Sequence, residues 1–331
     1  MEIEILLFLI KIILVTFASI FIGLIYKGID RKLTAKLQGR IGPPITQPIR
    51  DIKKLMIKEN IVPKDAIPWI FNSIPIFSLA ITISIFFYIP FLGFEPILSS
   101  YGDFILVLYL LTIPSLGLVI GGFSSGSPYA TVGAQREMVM MLSYEFPLVV
   151  TCIAVATLIS ANNPNLNAFS IQDISNFSVL NSVSIVGFLG LIFLFSSIFF
   201  VLPAEVSKIP FDVAEAETEI AGGLLAEYSG RNLAFFYLTD SVKTIAILSI
   251  IVAIFFPYNI SNFFSISLIP DFVLNLLFYL IKIFILMLLS ITLIKVSVAR
   301  LKIDQIVYLY LFPIAIISLI GLILVIIDTK I

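Results

Sequence analysis

The stretch Pro210–Gly230 reads PFDVAEAETEIAGGLLAEYSG and carries five carboxylates, Asp212, Glu215, Glu217, Glu219 and Glu227. Apolar runs long enough to cross a bilayer flank it on both sides. Acids held beside hydrocarbon are costly, and they serve ion movement or docking more often than solubility. A helix starting near Pro210 would put Asp212, Glu215 and Glu219 on one face and turn Glu217 away. Glu205 precedes this segment near the end of an apolar run, and Glu227 follows the Gly222-Gly223 break. Acids crowded near lipid repel one another, so some should titrate above the about 4.3 of a free glutamate. A coupled set with spread values can pass protons near neutrality. The plainer alternative is a solvated acidic helix start that favours the dipole; the flanking spans and the absence of interleaved lysines weigh against it.

Three other groups of residues have the types for charge chemistry. In GGFSSGSPYATVGAQREMVMMLSYE, residues 121–145, Pro128 is placed to start a helix, with Arg136 and Glu137 at the membrane entrance. Glu137, Met141 and Glu145 then share one face, with Glu145 about two turns deeper. Arg136 with a nearby acid is equally an internal ion pair. Asp240 and Lys243 stand at i and i+3 of a later apolar run, a spacing that permits a pair. Lys282 falls near the middle of another run and Lys11 early in the first. Buried structural pairs or an ionisable chain through the membrane both fit these cations. The fourth group is the basic stretch DRKLTAKLQGRIGPPITQPIRDIKKLMIKE, residues 30–59. It breaks at Gly42-Pro43-Pro44 and resumes as an amphipathic surface helix, with Ile49, Ile52, Leu55 and Met56 opposite Arg50, Lys53, Lys54 and Lys58. An ordinary loop on anionic headgroups is one reading. Eight cations around rigid proline breaks, ten over residues 27–68, suit a docking platform for another protein better.

The elements that must position these residues follow from composition. The 331 residues are 60% hydrophobic with a mean hydropathy of +1.12, which no soluble fold of this size can bury. Eight spans are expected, near 5–26, 70–94, 102–122, 138–160, 183–204, 233–257, 271–295 and 307–327. The fold class is therefore an all-α polytopic membrane protein, a single integral membrane domain over 1–331. The first span follows Glu2 and Glu4 and lacks a basic leader, so it reads as a retained helix. Ten Lys and Arg residues fall in 27–68, and alternate connections on the same side add Arg136, Lys208, Arg231, Lys295, Arg300 and Lys302. The positive-inside rule then makes the long charged loops, about 27–68, 123–137, 205–232 and 296–306, cytoplasmic and puts both termini outside. The outward connections, around Glu95–Asp103, Asn162–Asn181 and Tyr258–Asp271, are bland, with a turn cluster at Asn162-Asn163-Pro164-Asn165. No internal repeat of the kind that marks secondary transporters is visible.

One cysteine, Cys152, and no histidine leave no disulfide, haem, zinc or cluster chemistry to expect in this chain. Any electrons should run in partner subunits. No metal or catalytic residue is expected, and a lipid-embedded chain argues against nucleic acid.

Taken in order, DRKLTAKLQGRIGPP…QP, GSPYATVGAQREM…YE, PFDVAEAETEI and EYSG resemble one membrane subunit of the complex I superfamily. It is the subunit that anchors the hydrophilic redox arm, shared by respiratory complex I and membrane-bound nickel–iron hydrogenases, and the resemblance covers about residues 27–304. IAGGLLAEYSG, GSPYATVGAQREM, GRIGPP and VARLKID at 298–304 lean to the hydrogenase branch. Complex I versions carry VAGFNVEYSG-like, Ser-Lys-Tyr-Ala-Leu-Leu-Gly-like and GPNRVGP-like runs at the first three places. These departures weigh against quinone binding.

The resemblance implies that Glu145, Glu205, Glu215, Glu217, Glu219 and Glu227 form a glutamate-rich proton path toward antiporter-like membrane subunits. Asp212, Asp240, Lys243 and Lys282 join that candidate path. Arg31, Lys32, Lys36, Arg40, Arg50, Arg136 and Arg300 are the candidate docking residues for the peripheral arm. The arm would comprise a large hydrogenase-like subunit and small iron–sulfur subunits, holding a NiFe centre and iron–sulfur clusters. The expected function is an oxidoreductase subunit in a prokaryotic plasma membrane, coupling H2 evolution from reduced ferredoxin to ion translocation. The alternatives are the same subunit in a quinone-reducing complex I or a sulfur-reducing relative, a stand-alone transporter, or a purely structural anchor.

Overall fold

The computed structural model describes residues 2–99, 101–163, 166–177, 179–181, 183–262 and 270–330. Pro164 and Asn165 of the expected turn cluster, and most of the connection before Asp271, lie outside them. Eight helices among the described residues are long and apolar enough to cross a membrane. The membrane-crossing helices are α1 (Glu2–Leu37), α3 (Pro68–Ser84), α4 (Phe104–Ser124), α5 (Pro128–Asn162), α7 (Ile185–Glu205) and α9 (Gly230–Phe255). Two more are built in pieces: α10 (Asp271–Leu286) with α11 (Leu293–Ser297), and α12 (Ile303–Leu309) with α13 (Ala315–Asp328). In each a wider, π-type turn joins the pieces, over Met287–Thr292 and Tyr310–Ile314. Shorter helices are α2 (Gln47–Ile57), α6 (Ile171–Phe177) and α8 (Glu217–Ile220).

The expected spans are all present; the second ends at Phe87 instead of 94, and the other large differences lie at the basic end. With no proline before Pro43, α1 runs through Gly23 and Gly28 to Leu37, so Lys27, Arg31, Lys32 and Lys36 ride on the helix rather than in a loop. Pro128 starts α5 as expected, and its helix continues without a break to Asn162. The basic surface helix is also present, as α2 with Pro48 in its first turn.

The centre of the bundle is α9, buried along nearly its whole length, whereas α1 is mostly open to the surroundings. The two meet closely at Gly23, where a Cβ would stand 2.8 Å from the Ser241 carbonyl oxygen. Only a residue without a side chain allows that approach, and it brings Lys27, one turn further, over the α9 face. The basic end is tied together by backbone bonds between connections: Ile67 N to Ser124 O at 2.9 Å and Leu301 N to Pro210 O at 3.1 Å. The EYSG motif belongs to this joinery. Tyr228 stacks on Phe71 with ring centroids 4.1 Å apart, and the Ser229 hydroxyl accepts from Ile61 N. Gly230 holds φ +52° with a Cβ position 2.4 Å from the Glu59 carbonyl, so no other residue fits.

Candidate functional site

The expected helix from Pro210 is not what forms. A tight turn over Val213–Glu215, the one-turn α8 and a second tight turn over Gly223–Leu225 replace it. Ala221 and Gly222 both sit in the left-handed region, which ends α8 before it can elongate. The five acids therefore share no helical face, and their surroundings differ. Arg300 grips Asp212 bidentately at 2.5 and 2.8 Å and also donates to Thr218. Its hydrogen bond to Asp212 holds the guanidinium above its ordinary range. Arg136 binds Glu219 at 2.6 Å. The balancing cations come from elsewhere in the chain, which is why none is interleaved among the acids. Glu217 is exposed, as its separation from the others suggests, and Glu227 stays outside the cavity described next.

Glu215 turns inward. It lines a cavity of about 190 Å³ together with Lys27, Lys208, Asp240, Lys243 and Glu205. The expected Asp240–Lys243 pair does not form. Asp240 instead accepts from Lys27 of α1 at 2.7 Å and from Lys208, in the turn after α7, at 2.7 and 2.8 Å. Helical spacing permits an i, i+3 pair, but Lys243 projects further into the bundle. There it meets Glu205 at 2.8 Å and donates to Ser115 at 2.7 Å, with both charged side chains almost wholly buried. The Ser115 and Tyr144 hydroxyls lie 3.4 Å apart, which extends the polar chain to α5.

Around the cavity the charges are balanced unevenly. Burial alone would lower Lys208, but the Asp240 carboxylate outweighs it and holds the ammonium above its ordinary value. Burial pushes the Glu215 carboxyl up to about 7, partly offset by Lys208. A carboxyl there changes charge near neutral pH. Glu205 also borders a second opening, an apolar groove of about 540 Å³ between α4 and α5 whose wall carries Glu145. Glu205 thus stands between a polar cavity and a groove facing the lipid side.

Lys282 does not join this assembly. It donates to the carbonyls of Phe256 and Tyr258 past the C-terminal end of α9 and lies over the Phe278 ring, in a cleft shared with Glu95. Lys11 is exposed on α1 beside a groove that also contains Glu95, far from the acid segment in the fold. Among the docking candidates, Lys36, Arg40 and Arg50 are exposed. Arg31 is already engaged with Asp51 at 2.7 Å, as are Arg136 and Arg300 with their acids. Burial opposes but does not cancel the hydrogen bonds from Arg31 and Gln47 that hold Asp51 below the usual carboxylate range. Asp30, bound by Thr292 at 2.8 Å and Lys295 at 3.2 Å, ties α1 to the π-type turn after α10.

Sequence reasoning passed over Lys27, Lys208, Ser115, Ser207 and Asp30 as parts of the site. Their partners stand 29 to 265 positions away in the chain, and no local spacing signals such a contact.

A model of the family described as NADH dehydrogenase matches residues 10–326. The chain is 29% identical over 300 residues to the H subunit of NADH-quinone oxidoreductase from Geobacillus sp. (strain WCH70), covering 88% of this chain and 85% of that one. It is 31% identical over 243 residues to the protein of the same name from Bacillus thuringiensis subsp. konkukian (strain 97-27), covering 71% and 70%. It also superposes on a chain from the membrane-bound sulfane sulfur reductase, an archaeal respiratory membrane complex. That match has a TM-score of 0.82 and 30% identity over 96% of this chain and 99% of the other.

Proposed function

The chain belongs to the NADH dehydrogenase family, and on that premise we propose that it anchors a redox arm and couples the arm's reaction to ion movement. One observation carries the coupling: titratable groups line a single cavity from Glu215 at the connection after α7, past Asp240, to the buried Lys243–Glu205 pair. Groups that can exchange protons are thereby arranged in depth, which an anchor alone does not need. The basic end faces the cytoplasm of a prokaryotic plasma membrane. Its exposed cations Lys36, Arg40 and Arg50, with Lys32 beside them, meet the hydrophilic subunits. The redox centres, a NiFe centre and iron–sulfur clusters, sit in those partners, and antiporter-like membrane subunits receive the ions.

The complex is of the hydrogenase type, evolving H2 from reduced ferredoxin, a reading supported by GSPYATVGAQREM and IAGGLLAEYSG. A second reading, sulfur reduction, is favoured by the nearly full-length likeness to the sulfane sulfur reductase chain. Purification of the tagged chain with its partners, followed by assays of H2 evolution, sulfur reduction and quinone reduction, separates these. The coupling role is tested by Glu205→Gln in the intact complex in sealed vesicles. Loss of ion uptake per redox turnover is expected, and uptake at the unmodified ratio would refute it. Replacing Lys36, Arg40 and Arg50 together by Glu should strip the soluble subunits from solubilised membranes. Single changes at such a wet interface should have small effects.

A further inference from the structure

The path described above leaves out one buried acid, Glu137. It lies on α5 two turns before Glu145, and no part of it is exposed. Its Oε1 accepts one long hydrogen bond, 3.4 Å, from the Ser207 hydroxyl. Its Oε2 has no partner among the described residues. A carboxyl at that depth needs donors when charged and an acceptor when neutral, and half of this one has neither. The charged groups around it come from three elements: Lys243 of α9, Glu205 at the end of α7 and Glu215 of the following connection. Tyr144, on its own helix, lies near both Glu137 and Glu205. Ser207 holds φ +46° and lines the polar cavity. Glu137 therefore stands directly behind the cavity wall, joined to it by one hydroxyl.

We propose that Glu137 is a positioning residue for the coupling path, whose charge decides whether Lys243 stays with Glu205. The proposal rests on the ion-coupling reading. When Glu137 is ionised it competes with Glu205 for the Lys243 ammonium, and an acid deprived of its cation holds a proton more readily. When Glu137 takes a proton from the cavity, past Ser207, the competition ends and Lys243 closes on Glu205. Glu205 then gives up its proton toward Glu145, with which it shares the apolar groove. One proton enters from the cavity for each one that leaves, and no electron moves.

The test uses the intact complex in sealed vesicles and reads ion uptake per redox turnover across pH for E137Q, E137D and E205Q. E137Q should assemble, lower the ratio by about tenfold or more and flatten its pH dependence, while E137D restores much of it. An unchanged ratio and pH profile in E137Q, with E205Q inactive in uptake, overturns the role of Glu137 alone. An unchanged ratio in E205Q as well overturns the coupling reading beneath it. If E137Q does not assemble, S207A carries the test. Removing that hydroxyl should lower the ratio and shift the pH profile, and a wild-type profile in S207A overturns the proposal.

Discussion

The two ends of the bundle treat buried cations differently. At the basic end Lys27 and Lys208 converge on Asp240, Lys243 meets Glu205, Lys295 meets Asp30, and Arg136 and Arg300 meet Glu219 and Asp212. At the opposite end Lys282 is held by two backbone carbonyls past the end of α9 and by an aromatic face. Carbonyls at a helix C-terminus stabilise a cation through the dipole and cannot take up its charge in return. Carboxylates can be protonated, so the pairs at the basic end can rearrange when a proton arrives, whereas the two carbonyls that hold Lys282 cannot. One end is a fixed cap, and the other is able to change state.

The sharpest way to break this comparison is Asp240→Ala. It leaves Lys27 and Lys208 facing each other without their shared acid, a loss of about 3–5 kcal/mol. It should appear as a clear fall in the thermal midpoint of the purified complex. An Asp240→Ala protein as stable as the parent would mean that the pairs at this end are incidental. Next in size, a double-mutant cycle of Glu205→Gln and Lys243→Gln should give a coupling of about 1–3 kcal/mol, because the two charges touch. The same cycle with Asp240→Asn in place of Glu205→Gln should couple far less, since Asp240 spends its oxygens on other lysines.

Lys282→Met should cost about 1–2 kcal/mol for the hydrogen bonds it removes, and leave ion uptake per turnover as it was. A loss of uptake there would extend the responsive region to the capped end. The last effect depends on pH and concerns Glu215. Its carboxyl rises from 4.5 to about 7 in the folded chain, so the folded state binds more protons than the unfolded one between those values. Stability from this group is full below pH 4.5 and is lost as pH rises through about 7. Glu215→Gln should therefore match the parent at low pH and exceed it above pH 7. That is measurable as a flatter pH dependence of the midpoint.

Much of the architecture was legible in the order of residues. Long apolar runs have no alternative to a helix in lipid, where every backbone group must be satisfied within its own segment, so all eight spans could be read off. Proline at 128 marked one helix start, and the alternation of Ile52, Leu55 and Met56 with lysines marked the surface helix. The acid segment was legible as a site but not as a shape. Its composition suggests a helix, and the left-handed Ala221 and Gly222, together with arginines reaching in from α5 and from the connection before α12, break it into turns.

The sequence by itself thus determined the spans, the charged side and the presence of costly acids, because each follows from the free energy of placing local residue types against lipid. Only the tertiary structure decided which acid meets which cation. Asp240 lies three positions from Lys243 yet binds Lys27 and Lys208, 213 and 32 positions away. A side chain as long as lysine pairs wherever the bundle leaves a desolvated carboxylate within reach. That place is set by how closely α1, α7 and α9 approach, at contacts such as Gly23 on Ser241, and not by spacing along one helix.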